Sequence, residues 1–310
     1  MKKCLLWLSV ISLLLAGADL ALAQTSMPAP GGPPKVIQIY REEVKPGKAA
    51  AHEKVEAGWP RAFAKAKWPT HYLAMVSVTG PSEAWFLTGF DSLAAWEKDT
   101  RAVEKNTALT AELDQLSAKD GELLSGGRGL VTVYRDDLSY RAGVNIGQMR
   151  YVYLSTVRVR PGHDIDFAEW NKIIRSAHEK ADVPEHWAVF QVTLGMPAGT
   201  YLILQPLKSL TEVDDFPQTH GKAYQDATGD EGRKKLRELA SAGILSYETN
   251  IFAFNPKMSY VSKETAAADP DFWTPKPKAA AKPAAAGEKE AAKPAAPAPK
   301  AATKAPTKKQ

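Results

Sequence analysis

Two stretches of this 310-residue chain carry the same punctuation. Val44-Lys45-Pro46-Gly47 returns as Val159-Arg160-Pro161-Gly162, Pro69-Thr70-His71-Tyr72 as Pro184-Glu185-His186-Trp187, and Gly80 as Gly195, each pair 115 residues apart. Ser139-Tyr140 and Ser259-Tyr260 follow at a spacing of 120, so little net insertion separates the copies. The unit is longer than a solenoid repeat of roughly 20–50 residues and has the size of one small domain. The chain therefore reads as a tandem duplication, with like units at 35–140 and 151–260 joined by a linker at 141–150. Such a repeat constrains architecture strongly and chemistry weakly.

Within the first unit, Val36 to Val44 is a β-rich run and Pro46-Gly47 turns the chain. Lys48 to Lys67 is rich in Ala, Lys and Glu, with Val55, Trp59 and Phe63 four apart on one helical face and Pro60 placed to split it. His71 to Thr79 and Glu83 to Phe90 form a hairpin across Gly80-Pro81-Ser82. Asp91 or Ser92 caps a helix holding Leu93 and Trp96, a second helical stretch carries Leu109, Leu113 and Leu116, and Gly129 to Arg135 is a strand. The second unit repeats this order, with strands at Tyr151–Val159, His186–Leu194, Thr200–Leu207 and Ser246–Phe254 and a helix at Asp164–Ala181. Each unit is β-α-β-β-α-β. Its strands are apolar on both alternating sets, Leu73 and Met75 as well as Tyr72, Val76 and Val78, so both sheet faces must be buried. The expected fold is α+β: two ferredoxin-like repeats packed sheet to sheet, helices outside.

The ends differ in kind from the body. Lys2 and Lys3, an apolar run from Leu5 to Leu15 and Ala21-Leu22-Ala23 have the form of a secretory signal peptide over 1–23, followed by a linker at 24–34. The apolar run is short of the about 20 residues that span a bilayer. Export, as a secreted or periplasmic protein, is the expectation. Cys4 is the only cysteine, so residues 24–310 have no disulfide, thiolate nucleophile or cysteine-ligated metal. The segment 261–310 is expected to be a disordered Ala/Pro/Lys-rich tail. From Thr274 onward it holds nine Lys and two Glu, while residues 24–273 sum to −3, so the pI of about 9.0 belongs to the tail. Such a tail suits an anionic envelope polymer. Without aromatic residues among its lysines it does not suit base stacking, and no sequence-specific nucleic-acid binding is expected.

The V-[KR]-P-G turn, the element order and the helix starts Ser92-Leu93 and Ser209-Leu210 resemble the dimeric α+β barrel superfamily, nearest its monooxygenase-like and NIPSNAP-like domains, here as a fused pair within one chain. The resemblance covers about Lys35 to Tyr260. It implies a barrel fold and leaves activity open between cofactor-free oxygenases, haem-linked enzymes, isomerases and domains without a reaction.

The paired His71 and His186 are the candidate catalytic groups, either as acid–base residues or as ligands, against a structural role in the P-x-H turn. Tyr40, Trp59, Trp85, Tyr153 and Trp187 are the candidate ligand-binding residues, with Glu42 and Glu83 as polar pocket groups. A small apolar or aromatic molecule is the expected partner. No metal site is expected, because His52, His163, His178 and His220 show no His-x3-His or Glu-x-x-His spacing. No cofactor is called for; haem on His178 or His186 is the one that the resemblance admits. Phosphate loops and serine-hydrolase elbows are missing, since Gly126-Gly127-Arg128-Gly129 precedes a strand.

Overall fold

The computed structural model describes residues 32–274. The expected signal peptide over 1–23, most of the expected linker over 24–34 and the part of the expected tail beyond residue 274 lie outside the described residues. In chain order the elements are β1 (Val36–Val44), α1 (Ala49–Glu56), α2 (Gly58–Lys65), β2 (Tyr72–Ser77), β3 (Glu83–Phe90), α3 (Leu93–Lys105), α4 (Thr107–Gly121) and β4 (Leu124–Tyr134). Then follow β5 (Tyr151–Val159), α5 (Asp164–Lys180), β6 (Ala188–Leu194), β7 (Thr200–Leu207), α6 (Thr211–Asp215), α7 (Gly221–Gly243), β8 (Ile244–Phe254), α8 (Lys263–Ala268) and α9 (Pro270–Trp273).

Local chemistry accounts for these boundaries. Gly47 and Gly162 sit at φ 75° and 87° after their prolines, a conformation that disfavours any residue with a Cβ and so turns each chain from strand to helix. Pro60 lies in the first turn of α2, where its missing N–H costs nothing, and the helix expected over 48–67 is accordingly two helices. Ser92 caps α3 by accepting from the Ala95 N–H, and Asn106 caps α4 by accepting from Leu109.

The eight strands of the described residues form one closed antiparallel barrel in the order β1-β3-β2-β8-β5-β7-β6-β4. The architecture is a mixed α+β fold similar to the dimeric α+β barrel. Each half has the same internal strand order, and the halves join edge to edge rather than only face to face. β2 pairs with β8 from Met75↔Phe254 to Ser77↔Phe252, and β4 pairs with β6 from Val131↔Leu194 to Tyr134↔Phe190. Closure leaves no unpaired strand edge among the described residues. The inward set, including Ile37, Ile39, Leu73, Met75, Leu130, Leu154, Phe190, Leu202 and Phe252, fills the barrel as its main core. The outward set meets the helices, as two-sided burial requires.

One expectation is corrected here. The tail does not start at 261, because residues 263–273 form α8 and α9. Ser262 and Asp269 cap them, Trp273 is buried, and its indole N–H donates to the Gly147 carbonyl at 2.7 Å. Phe272 and Trp273 join the core at one end of the barrel, and Arg150 pairs with Asp269 while lying 4.0 Å over the Phe272 ring.

Candidate functional site

Between the outer face of the first-half sheet and its helices lies a cavity of about 410 Å³. Strand alternation puts Tyr40 and Glu42 of β1 on the helix side, opposite the inward Ile37 and Ile39. Trp59, Phe63, Tyr72 and Phe86 complete an aromatic wall, with Phe63 and Tyr72 edge to face at 5.9 Å. The Tyr40 and Tyr72 hydroxyls are held above their ordinary pKa by burial first and by nearby carboxylates second, so both stay protonated donors.

The floor is ionisable. Glu42 from β1, His52 and Glu56 from α1, and Asp120 from the last turn of α4 are all buried, and one ligand-type atom of each lies within 4.8 Å of every other. His52 Nε2 is 2.8 Å from Glu42 Oε2 and 3.6 Å from Asp120 Oδ1. His52 and Glu56 share a face because they are four apart on one helix. Burial, then the charges of Glu42 and Asp120, raise the Glu56 carboxyl to about 9, with the Trp59 indole N–H offsetting part of the effect. Burial and the Glu42 charge raise Asp120 to about 6 against the opposing pull of His52. Glu56 Oε1, Asp120 Oδ1, Trp59 Nε1 and the Tyr72 hydroxyl close no hydrogen bond of normal geometry, so four buried polar atoms face one cavity unsatisfied. The floor thus holds a protonated carboxyl able to give a proton beside an imidazole–carboxylate pair able to take one.

The corresponding cleft of the second half is smaller, about 170 Å³, and is lined by Tyr153, Ser155, Trp170, Asn171, Ile174, His178, Trp187 and Tyr247 among others. Backbone register fixes which positions correspond. Val44 meets Leu124 beyond a bulge as Val159 meets Ile244. The His52 N–H donates to Lys48 as that of Phe167 does to His163, and the Lys45 N–H to Leu123 as that of Arg160 does to Gly243. Glu42, His52, Glu56 and Asp120 therefore stand where the second half has Val157, Phe167, Asn171 and Ala240.

Of the residues expected at a site, Tyr40, Trp59 and Glu42 converge in the first cleft, and Tyr153 and Trp187 in the second. Trp85 belongs to neither. Its register opposite Arg41 and Met75 turns it into the barrel, where it packs on Phe252 and donates to Glu83 at 2.8 Å. Glu83 also pairs with Arg41 and is a structural partner rather than a pocket group. His71 stacks on Tyr260 at 4.6 Å, and burial lowers its pKa. His186 donates from Nε2 to the Pro206 carbonyl at 2.6 Å and lines a cavity of about 80 Å³ at one end of the barrel. Neither histidine lines either helix–sheet cleft.

Haem does not fit the expected donors. His178 engages Ile174 O through Nδ1 and Glu185 Oε2 through Nε2, both at 2.8 Å, and His186 has committed Nε2. The spacings sought among the histidines gave no sign that His52 lies among ligand-type atoms from three elements. The signal available in the sequence was His52-x3-Glu56, a one-face spacing other than those sought. Asp120, 68 residues beyond His52, left no such trace.

No protein-family model and no curated protein matches the chain. Among solved structures, it is similar to an anthrone oxidase-like protein (13% identity, 74% of this chain and 94% of that one, TM-score 0.47). It is also similar to a monooxygenase-like protein of Fusobacterium nucleatum (11%, 71% and 91%, TM-score 0.46). A mutant chlorite dismutase of Candidatus Nitrospira defluvii is similar at 10% identity, over 72% and 92% of the two chains, with a TM-score of 0.43. Likenesses this distant carry no argument about ligand or reaction.

Proposed function

We propose that this chain is an exported, tandemly duplicated α+β barrel, NIPSNAP-like in its units, that binds a small aromatic molecule in the cleft of its first half. The observation that supports this reading is the pairing of an aromatic wall with an unsatisfied polar floor. Tyr40, Trp59, Phe63, Tyr72 and Phe86 supply apolar area for a flat ring, while Glu56, Asp120 and Tyr72 present polar atoms that a ligand hydroxyl would satisfy. The preferred ligand is thus a hydroxylated aromatic rather than a plain hydrocarbon. The second cleft, smaller and without the ionisable floor, supports the fold. The basic tail would hold the protein near anionic envelope polymer.

A cofactor-independent monooxygenase is the second reading, favoured by the His52–Glu42 pair. That pair can take the proton of a phenol or enol and leave an electron-rich anion, the form that meets oxygen directly. Titration with hydroxylated polycyclic aromatics, followed by Trp fluorescence, tests binding; oxygen uptake in the same samples tests turnover. Saturable quenching weakened about 10-fold or more in Phe86→Ala is expected, from the loss of one stacking wall. Oxygen consumption abolished in His52→Phe would make the protein an enzyme. Absence of saturable binding by any such ring would defeat the proposal and leave a non-catalytic envelope scaffold.

A further inference from the structure

The quartet at the cleft floor is more than a fold of this kind needs. Three carboxylates packed together repel one another, and taking each out of water costs several kcal/mol unless it is paired. Here the only ion-pair partner of any of the three, among the described residues, is His52, and Glu56 has none. The second half shows that the same architecture closes with no ionisable group at these positions: Val157 and Phe167 are buried, and the Asn171 amide simply donates to the Phe167 carbonyl at 2.9 Å. A structural account of the quartet therefore lacks a reason for its charge. A second, independent observation points to a missing partner. Glu56 is only 3% exposed, yet its Oε1 faces the cavity without a hydrogen bond, as does Oδ1 of the equally buried Asp120.

From this geometry we infer a divalent transition-metal site whose ligands are Glu42, His52, Glu56 and Asp120. Four donor atoms mutually within 4.8 Å need only small side-chain rotations to surround one ion, since opposite ligands at metal–oxygen distances of about 2.1 Å stand roughly 4.2 Å apart. Three carboxylates with one imidazole suit Mn²⁺, Fe²⁺ or Zn²⁺; the imidazole argues against Ca²⁺ and Mg²⁺, which take oxygen ligands. The ion would neutralise the carboxylates and satisfy the orphaned oxygens. The cavity side of the site, under Trp59 and Tyr72, stays open for water or for a polar ligand atom. The inference concerns the cleft already described but does not depend on an aromatic ligand.

The test uses the untagged full chain, stripped with chelator, and Co²⁺ as the probe. One equivalent per chain is expected, with visible d–d absorption, a melting temperature that rises with Co²⁺ concentration, and displacement by Zn²⁺. His52→Phe and Glu56→Asn install the residues that the second half carries, so both variants should fold; each should weaken Co²⁺ binding about 10-fold or more. Glu185→Gln, in the second cleft, should leave it unchanged. Co²⁺ binding that is absent at micromolar concentrations, or that survives both His52→Phe and Glu56→Asn in folded protein, overturns the site. Aromatic binding that persists without Co²⁺ binding would remove the metal alone and leave the ligand proposal standing.

Discussion

The first and second clefts are built on the same register, yet the positions that hold Glu42, His52, Glu56 and Asp120 in one hold Val157, Phe167, Asn171 and Ala240 in the other. In the second, Phe167 lies 4.5 Å from Tyr201 and stacks with Trp170, and Val157 beneath them is fully buried. In the first, the same positions hold an imidazole and three carboxyl groups, and burial, then neighbouring charge, raises the Glu56 and Asp120 pKa values. The contrast teaches that the barrel tolerates either filling. What the fold demands is volume between sheet and helix; ionisable chemistry there is an addition that costs stability.

The largest effect should come from placing a carboxylate at the second-cleft position that corresponds to Glu42. Val157→Glu places a carboxylate at a site with 0% exposure and no cation, and should cost about 3–5 kcal/mol in urea melts at pH 7. A loss under 1 kcal/mol would mean that the second cleft is as wet as the first and would dissolve the contrast.

Removing an ionisable group from the first cleft should act in the opposite sense. Glu56 titrates at about 9 in the folded chain, against 4.5 for a freely solvated glutamate. With its folded pKa raised, the stability associated with its proton is fully present below pH 4.5 and drains away as pH rises toward 9. Glu56→Gln should therefore stabilise chelator-treated protein by up to about 3 kcal/mol at pH 7 and by less at pH 5. Equal melts for wild type and variant across pH 5–8 would show that Glu56 is not held protonated. A smaller effect is expected at His186. Replacing it with Ala removes one hydrogen bond to Pro206 and should cost about 1 kcal/mol while leaving first-cleft binding intact. Loss of that binding would return His186 to the site.

The order of elements was legible in the sequence because each signal was local: apolar alternation along β1, the Pro-Gly turn, Ser92 at a helix start, Pro60 between two helices. The side of the sheet on which Trp85 falls was not, since one-residue parity on a strand with two buried faces leaves no polar pattern to read. The helices at 263–273 were missed because Ala and Pro there resemble the tail that follows, and what orders them is the docking of Phe272 and Trp273 onto the end of the barrel.

By itself the sequence determined a mixed α+β chain whose strands are buried on both faces, since turn chemistry and periodicity act over a few residues and survive in any context. Only the tertiary structure decided that the two sheets join edge to edge into one barrel, and that Glu42, His52, Glu56 and Asp120 meet beneath an aromatic wall. The physical reason is separation along the chain. The four side chains come from a strand and two helices that strand pairing and helix packing bring together, and the raised pKa values of Glu56 and Asp120 exist only once burial has excluded water from between them.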